Sequence, residues 1–302
     1  MKPRVYICVL NYNNYKDTLE CINSLELLHY DNYCVLVIDN NSTDDSGIRL
    51  QDYVKNKDKI VFIKSKYNCG YAAGNNVGIK FAMKDIDMRY VWILNNDTVV
   101  DPYALSELVK KAEINKSIGL VGSKLIYDWN RNKIQGYGGI YCKYTGVSKH
   151  IKNEKEINKI NYVIGASVLA RREYLEEVGL MREDYFLYYE EVDWAIRGMG
   201  KYSISCAKDS VVYHKEGGTV KRDKKGERVS CYFSVRNKLL ITKRFYPKYL
   251  LVVCLRAFVT SLYRVARFDF YTAWLILKII IGIKDELFEN LNEINRRNYD
   301  KY

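Results

Sequence analysis

Short apolar runs alternate with helix-spaced segments through the first third of the chain, and that alternation limits the fold more than any other feature. Residues 5–10, 34–38, 60–63 and 90–94 read as strands, almost continuously apolar and rich in Val and Ile. Leu19, Ile22 and Leu25 repeat at helical spacing after the first run. Asp44 or Ser46 can cap a helix after the second run, residues 79–83 form part of a third helix, and Pro102 sits in the first turn of a fourth. Strands apolar on both faces, with a helix between each, predict an α/β fold whose parallel sheet is covered on both sides. Beyond residue 118 the pattern is mixed. Residues 118–127, 162–170 and 203–214 read as strands, 136–146 as loop or hairpin, and 185–197 as an aromatic, acidic segment with a helix start. Residues 215–230 are polar and charged and read as a mobile loop.

Ligands of such sheets bind beyond the carboxyl ends of the strands. There the sequence places Asn11 and Asn13, then Asp39, Asn40 and Asn41, then Asn95, Asn96 and Asp97. One cluster of this kind is an ordinary turn. Three at strand ends predict a polar cleft. The first strand is not followed by Gly-x-Gly-x-x-Gly, and no Gly-x-x-x-x-Gly-Lys-Ser/Thr occurs, so a dinucleotide dehydrogenase and a P-loop ATPase lose ground. Residues 68–76 offer a different glycine-containing loop that enters a helix.

The net charge of +12, from 48 Lys/Arg against 36 Asp/Glu, invites a nucleic-acid reading. Residues 215–267 hold 14 Lys/Arg and 3 Asp/Glu, a net of +11, so the other 249 residues carry only +1. No nucleic-acid motif accompanies this segment, and no nucleic-acid partner is expected. Over residues 248–267, at about 100° per residue, Arg256, Thr260, Arg264 and Arg267 share one narrow stripe. Leu251, Leu255, Phe258, Leu262 and Val265 lie opposite. Such a helix suits an anionic membrane surface. Its apolar face equally suits packing on the rest of the chain or on a second copy, as a homodimer. No run reaches the ~20 apolar residues of a spanning helix. The nearest, residues 271–283, is interrupted by Lys278, so a membrane span is not expected. The eight cysteines include no Cys-x-x-Cys pair, and residues 1–4 lead into a strand without a signal-peptide core, so free thiols in a reducing cytosol are expected. His29 and His150 read as structural residues.

Taken in order, the clusters at 9–13, 37–42, 68–76, 93–97 and 190–193, followed by His214, resemble the family 2 glycosyltransferases of GT-A-type fold. The likeness is strongest to the bacterial rhamnosyltransferase-like branch and covers roughly residues 4–245. It implies a GT-A-type Rossmann-like mixed, mostly parallel sheet with flanking helices in residues 1–229, and the amphipathic stripe makes 230–302 a C-terminal membrane-associating helical region. It implies that Asn11, Asn13 and Asp39 hold the nucleoside of a sugar-nucleotide donor, and that Asn68, Gly70 and Asn75 belong to a loop closing over nucleotide and sugar. Asn95, Asn96 and Asp97 stand where the family has Asp-x-Asp; Asp97 is the charged ligand for Mg²⁺ or Mn²⁺, and Asn95 replaces the first acid. His214 is either a further metal ligand or a structural histidine. Glu190 and Glu191 match a Glu-Asp pair whose second acid is the general base, which assigns that role to Glu191. Glu190, Asp193 and Trp194 then position the acceptor, or the acids cap the helix. Residues 231–237, with Arg236 and Asn237, also resemble this branch.

The resemblance implies an inverting, metal-dependent transferase on the cytoplasmic face of the membrane. Its donor would be a dTDP- or UDP-sugar, with dTDP-rhamnose the first choice, and its acceptor a lipid-linked or cell-surface glycan. The departures at Asn95 and Glu191 leave room for an inactive sugar-nucleotide-binding protein of the same fold. The basic segment alone leaves room for a membrane-binding scaffold.

Overall fold

The computed structural model of the chain describes residues 2–216 and 224–282. In order these form β1 (Arg4–Asn11), α1 (Tyr15–Glu26), β2 (Tyr33–Asp39), α2 (Ser46–Val54), β3 (Ile60–Lys64), α3 (Gly70–Ala82) and β4 (Met88–Asn95). There follow β5 (Thr98–Val100), α4 (Ala104–Glu113), β6 (Ile118–Tyr127), β7 (Ile134–Gly136), β8 (Gly139–Cys142), β9 (Val147–His150), β10 (Ser167–Arg171), α5 (Arg172–Val178), α6 (Glu190–Gly198) and β11 (Ser203–His214). Three helices end the described chain: α7 (Lys224–Phe245), α8 (Leu250–Ala266) and α9 (Phe270–Ile281).

One sheet runs β3-β2-β1-β4-β10-β6-β11-β5, with β7 beside β6, and β8 pairs only with β9. The strands β3, β2, β1 and β4 are mutually parallel, as helical crossovers demand. β10 enters between β4 and β6 antiparallel to both, because the chain reaches it through the β8–β9 hairpin rather than through a crossover helix. Alternate residues of β1 face opposite layers. Val5, Ile7 and Val9 pack beneath α1, α2 and α4, while Tyr6 and Cys8 face α3. That two-sided burial is why these strands carry no polar face.

Register then levels the polar ends. Asn11 pairs with Asp39, and Leu10 pairs with Asn95, so the clusters after β1, β2 and β4 line one edge of the sheet.

Several boundaries differ from the sequence reading. The helix predicted to include residues 79–83 is α3, which runs from Gly70 to Ala82, so most of the 68–76 segment is helix, with Ala72, Ala73 and Asn75 buried. Pro102 lies in the turn before α4, which starts at Ala104. Strand pairing begins only at Ser167, because residues 164–167 turn back on themselves, Ser167 N donating to Ile164 O at 3.2 Å. The short β5 went unnoticed, three residues being too few for periodicity. The mobile loop expected over 215–230 is half wrong: its last seven residues are the first turns of α7, stabilised by tertiary packing rather than by an apolar stripe of their own. Residues 217–223 lie outside the described residues. A division of the chain at 229/230 therefore falls inside α7.

All eight cysteines are free thiols. On α8 the buried ridge is Val253, Ala257 and Ser261, small side chains packed against α7 and α9. Leu251, Leu255, Phe258, Leu262 and Val265 are exposed, so this apolar face is not used by the rest of the described chain. The expectation of no membrane-length helix needs correction. Residues 247–266 form a helical segment long and apolar enough to cross a membrane by length and composition, and most of it is not buried against the rest of the described chain. It was overlooked because Lys248, Arg256 and Arg264 interrupt the apolar run.

Candidate active site

The edge where β1, β2 and β4 end is a connected polar network. Asn11 is fully buried, and its Nδ2 donates to Asp39 Oδ1 at 2.9 Å, with Ser42 Oγ and Ser46 Oγ at 3.1 and 3.2 Å. Asp39 also accepts from the Ser42 hydroxyl at 2.6 Å and from its backbone N–H at 3.2 Å. A Cβ at Gly47 would stand 2.7 Å from Asp39 Oδ2, so the start of α2 presses directly on this carboxylate. Asn13, at φ 51°, bridges to the next loop: its Oδ1 accepts from Thr43 N at 2.7 Å and its Nδ2 donates to Thr43 Oγ1 at 2.9 Å. Asn96 turns inward and donates to Thr18 Oγ1 at 2.8 Å. Asn13 and Asn96 therefore shape the cleft by bracing its loops, since their side chains are engaged within the protein. Structural bracing and ligand contact draw on the same residue types, so sequence alone cannot separate them.

Asp97 and His214 meet at the end of β4. Their contact exists because β5 pairs antiparallel with β11, setting His214 opposite Thr98. His214 Nε2 lies 3.2 Å from Asp97 Oδ1, and Asn95 Nδ2 approaches the same nitrogen at 3.5 Å. Gln135 Oε1 stands 2.9 Å from Nδ1, where it can accept the Nδ1 proton and leave Nε2 to a metal ion. A carboxylate and an imidazole with a carbonyl partner behind it form a usual ligand pair. Two neighbouring ligands of an octahedral ion, each about 2.1 Å from it, lie about 3 Å apart, so the spacing fits Mg²⁺ or Mn²⁺. Among the described residues no group of three or more His, Cys, Asp or Glu gathers. Among the described residues, Asp97 and His214 are the side chains placed to hold such an ion. Gln135 carried no signal in the sequence, because only the β7–β6 pairing brings it behind His214.

The acid pair stands at the N-terminus of α6. Glu190 is buried; burial first and the charge of Glu191 second raise its carboxyl well above the ordinary range. Its Oε2 has no hydrogen-bond partner among the described residues. Glu191 is half-buried, and desolvation pushes it up to about 7. Burial favours the protonated form of both acids, and Glu191, near 7, exchanges a proton around neutral pH, the property a general base requires. Burial raises the Tyr71 hydroxyl well above its usual range, and Glu190, Glu191 and Asp97 add to that rise. The Tyr71 hydroxyl thus lies within electrostatic reach of both the acid pair and Asp97.

Phe186, Tyr188 and Tyr189, just before Glu190, have φ of 63°, 69° and 73°. Bulky residues enter that region at a cost of about 1–3 kcal/mol each, and only where the surroundings hold them. Gly70 is one such support. With φ 87°, it brings α3 so close that a Cβ would sit 2.2 Å from Phe186 O, and Tyr71 N donates to that oxygen at 2.7 Å. Asn68 Oδ1 accepts from Gly70 N at 3.0 Å and from Asn40 Nδ2 at 2.9 Å. Asn75 is buried, donating to Tyr71 O at 3.0 Å, and its Oδ1 has no hydrogen-bond partner. Asn68, Gly70 and Asn75 therefore border the acid pair as well as the strand ends.

Asp193 and Trp194 require correction. Asp193 is fully buried, 2.7 Å from Arg197 Nε and within 4 Å of Arg182 and Arg244, and it accepts from Tyr185 Oη at 2.8 Å. Trp194 is fully buried against Tyr174, its Nε1 donating to Gly179 O at 2.8 Å. Neither reaches an acceptor; both anchor α6. The arginine stripe of α8 also divides. Arg256 and Arg267 are exposed, whereas Arg264 turns to Asp269 at 3.6 Å.

A mixed sheet with this strand order, flanked by helices and carrying its polar cleft at the strand ends, is a GT-A-like fold, the sugar-nucleotide-binding scaffold of many glycosyltransferases. The chain matches the Glycosyl transferase family 2 model over residues 6–179, more than half its length, and it belongs to that family. It is 22% identical over 219 residues to the low-salt glycan biosynthesis hexosyltransferase Agl10 of Haloferax volcanii, covering 70% of this chain and 68% of that one. It is 22% identical over 202 residues to the dTDP-rhamnosyl transferase RfbF of Shigella flexneri, covering 65% and 64%. Against a poly-beta-1,6-N-acetyl-D-glucosamine synthase of Staphylococcus epidermidis it is 28% identical, covering 61% of this chain and 43% of the relative. The fold is shared with a mannosyltransferase of Pyrobaculum calidifontis solved with GDP-Man and Mn²⁺, at TM-score 0.59 and 16% identity over 98% of this chain and 80% of that one. It is shared also with S. aureus TarS 1-349 solved with UDP-GlcNAc, at TM-score 0.54 and 16% identity, covering 78% and 66%.

Proposed function

We propose that this glycosyltransferase moves one sugar, with inversion, from a nucleotide donor to a hydroxyl of a lipid-linked or cell-surface glycan. The observation that carries the reading is Glu191: a carboxyl that desolvation brings to about 7, beside Glu190 at the start of α6, with the Tyr71 hydroxyl in electrostatic reach of both acids and of Asp97. Glu191 takes the proton of the acceptor hydroxyl as its oxygen attacks the anomeric carbon, and one attack by one base inverts that centre. Asp97 and His214 hold a divalent ion, which when bound neutralises the departing diphosphate. Asp39, braced by Asn11 and Ser42, lies where the nucleoside binds. The dTDP-rhamnosyl relative supports dTDP-rhamnose as the first donor to try. A thermal-shift screen of dTDP-, UDP- and GDP-sugars with and without Mn²⁺ or Mg²⁺ tests this reading. A donor at 100 times its Kd stabilises by about 2.7 kcal/mol, and only with metal present. No shift with any of them would overturn it.

The same reading places the enzyme on the cytoplasmic face of the membrane, peripheral and held by α8 and α9. The exposed Leu255, Phe258, Leu262, Phe268, Phe270 and Trp274 form an apolar surface, with Arg256, Arg267 and Lys248 exposed around it. Each cation near an anionic surface contributes about 1 kcal/mol. Vesicles of phosphatidylglycerol should sediment the protein, with Phe258→Glu reducing binding at least ~10-fold. Failure to sediment, with a dimer in solution that Phe258→Glu dissociates, would instead assign this face to a second copy.

A further inference from the structure

The loop that delivers Glu190 and Glu191 is held by a residue far outside the cleft. Asn237 on α7 is fully buried, and its Nδ2 lies 2.9, 2.8 and 2.9 Å from the carbonyl oxygens of Tyr185, Leu187 and Tyr188. Those carbonyls belong to the stretch of backbone with left-handed Phe186, Tyr188 and Tyr189, which neither sheet nor helix stabilises. Tyr185 O also accepts from Leu187 N at 2.8 Å, and Tyr189 O is taken by Asp193 N at 2.9 Å, the first bond of α6. Arg236 sets the orientation of the amide. Its Nη1 donates to Asn237 Oδ1 at 2.6 Å and to Asp184 O at 2.9 Å, so the carboxamide oxygen faces the arginine and the NH₂ faces the loop. Phe233, one helical turn earlier, stacks on Phe186 at 5.0 Å.

We infer that Asn237, oriented by Arg236, is the positioning residue for the catalytic base: its amide holds the strained loop before α6 and so fixes where Glu191 stands. The inference rests on the reading of Glu191 as base. A buried amide whose two N–H donors are shared among three carbonyls cannot be replaced by packing alone, because the carbonyls of Leu187 and Tyr188, left without this donor, would turn toward water and take the loop with them. Loop displacement of about 1 Å costs transfer about 100-fold without loosening the donor. It also admits water to Glu191, whose neighbours are Glu190, Tyr71, Tyr162 and Tyr189.

The test uses the full chain labelled with ¹³C-glutamate, the Glu191 signal being identified by its loss in Glu191→Gln. In Asn237→Ala, Glu191 should titrate roughly one pH unit or more below its native midpoint, as renewed hydration favours the carboxylate. Asn237→Ser, which keeps one donor, should fall between. In a mixture of dTDP-rhamnose, UDP-GlcNAc and GDP-mannose with Mn²⁺, release of nucleoside diphosphate should fall at least ~10-fold at unchanged apparent KM. Should Asn237→Ala not fold, Arg236→Lys, which loses the orienting fork, should show the same direction of shift. An unmoved Glu191 titration in either folded variant would overturn the inference. Turnover that survives Glu191→Gln would remove the base assignment and leave the titration result standing as evidence on the loop.

Discussion

A Glu191→Gln variant is expected to lose transfer by about 10²–10⁴-fold while donor binding in the thermal-shift assay stays native. Glutamine keeps the shape of the side chain and cannot accept the acceptor's proton, so the loss isolates proton removal from packing. The pH profile sharpens the expectation. Because desolvation raises Glu191 to about 7, it is protonated below that pH and idle as a base. The rate should therefore fall about tenfold per pH unit on the acid side of neutrality. Burial and the Glu191 charge both favour the proton on Glu190, which makes Glu191 the member of the pair expected to act as base. Glu190→Gln should accordingly leave the acid limb in place. A limb that disappears in Glu190→Gln and persists in Glu191→Gln would exchange the two roles.

Asp97→Ala carries the second large effect. Its carboxylate is the only acid in contact with His214 Nε2 among the described residues, so its removal leaves the metal corner with a lone imidazole. Donor stabilisation that depends on Mn²⁺ should vanish, and transfer should fall at least ~10²-fold, since a bound ion contributes several kcal/mol to a departing diphosphate. Gln135→Leu provides the graded case. It removes the carbonyl that fixes the His214 tautomer and should weaken metal dependence about 10–100-fold. Metal-dependent donor stabilisation that survives Asp97→Ala would dismiss the corner as the ion's site.

Much of the cleft was legible before folding, because its residues interrupt a strong local pattern. Asn11, Asp39 and Asp97 follow directly on apolar runs too hydrophobic to be anything but buried strands, and β-strand register alone then aligns their ends. Glu190 and Glu191 were equally visible as acids at a helix start. What could not be read was which neighbours share the work. Asp193 and Trp194 sit in the same short segment and have chemically suitable side chains, yet Arg197, Arg182 and Tyr174 claim them for the interior.

The sequence by itself determined the layered fold, the edge of the sheet where chemistry happens and the acids that stand there, because periodicity and strand ends are properties of adjacent residues. Only the tertiary structure decided that His214 faces Asp97, that Gln135 orients it, and that Asn237 grips the loop before Glu190. Each of those contacts joins residues 49 or more positions apart. It depends on strand order and helix docking, and long-range packing of that kind leaves no trace in local spacing.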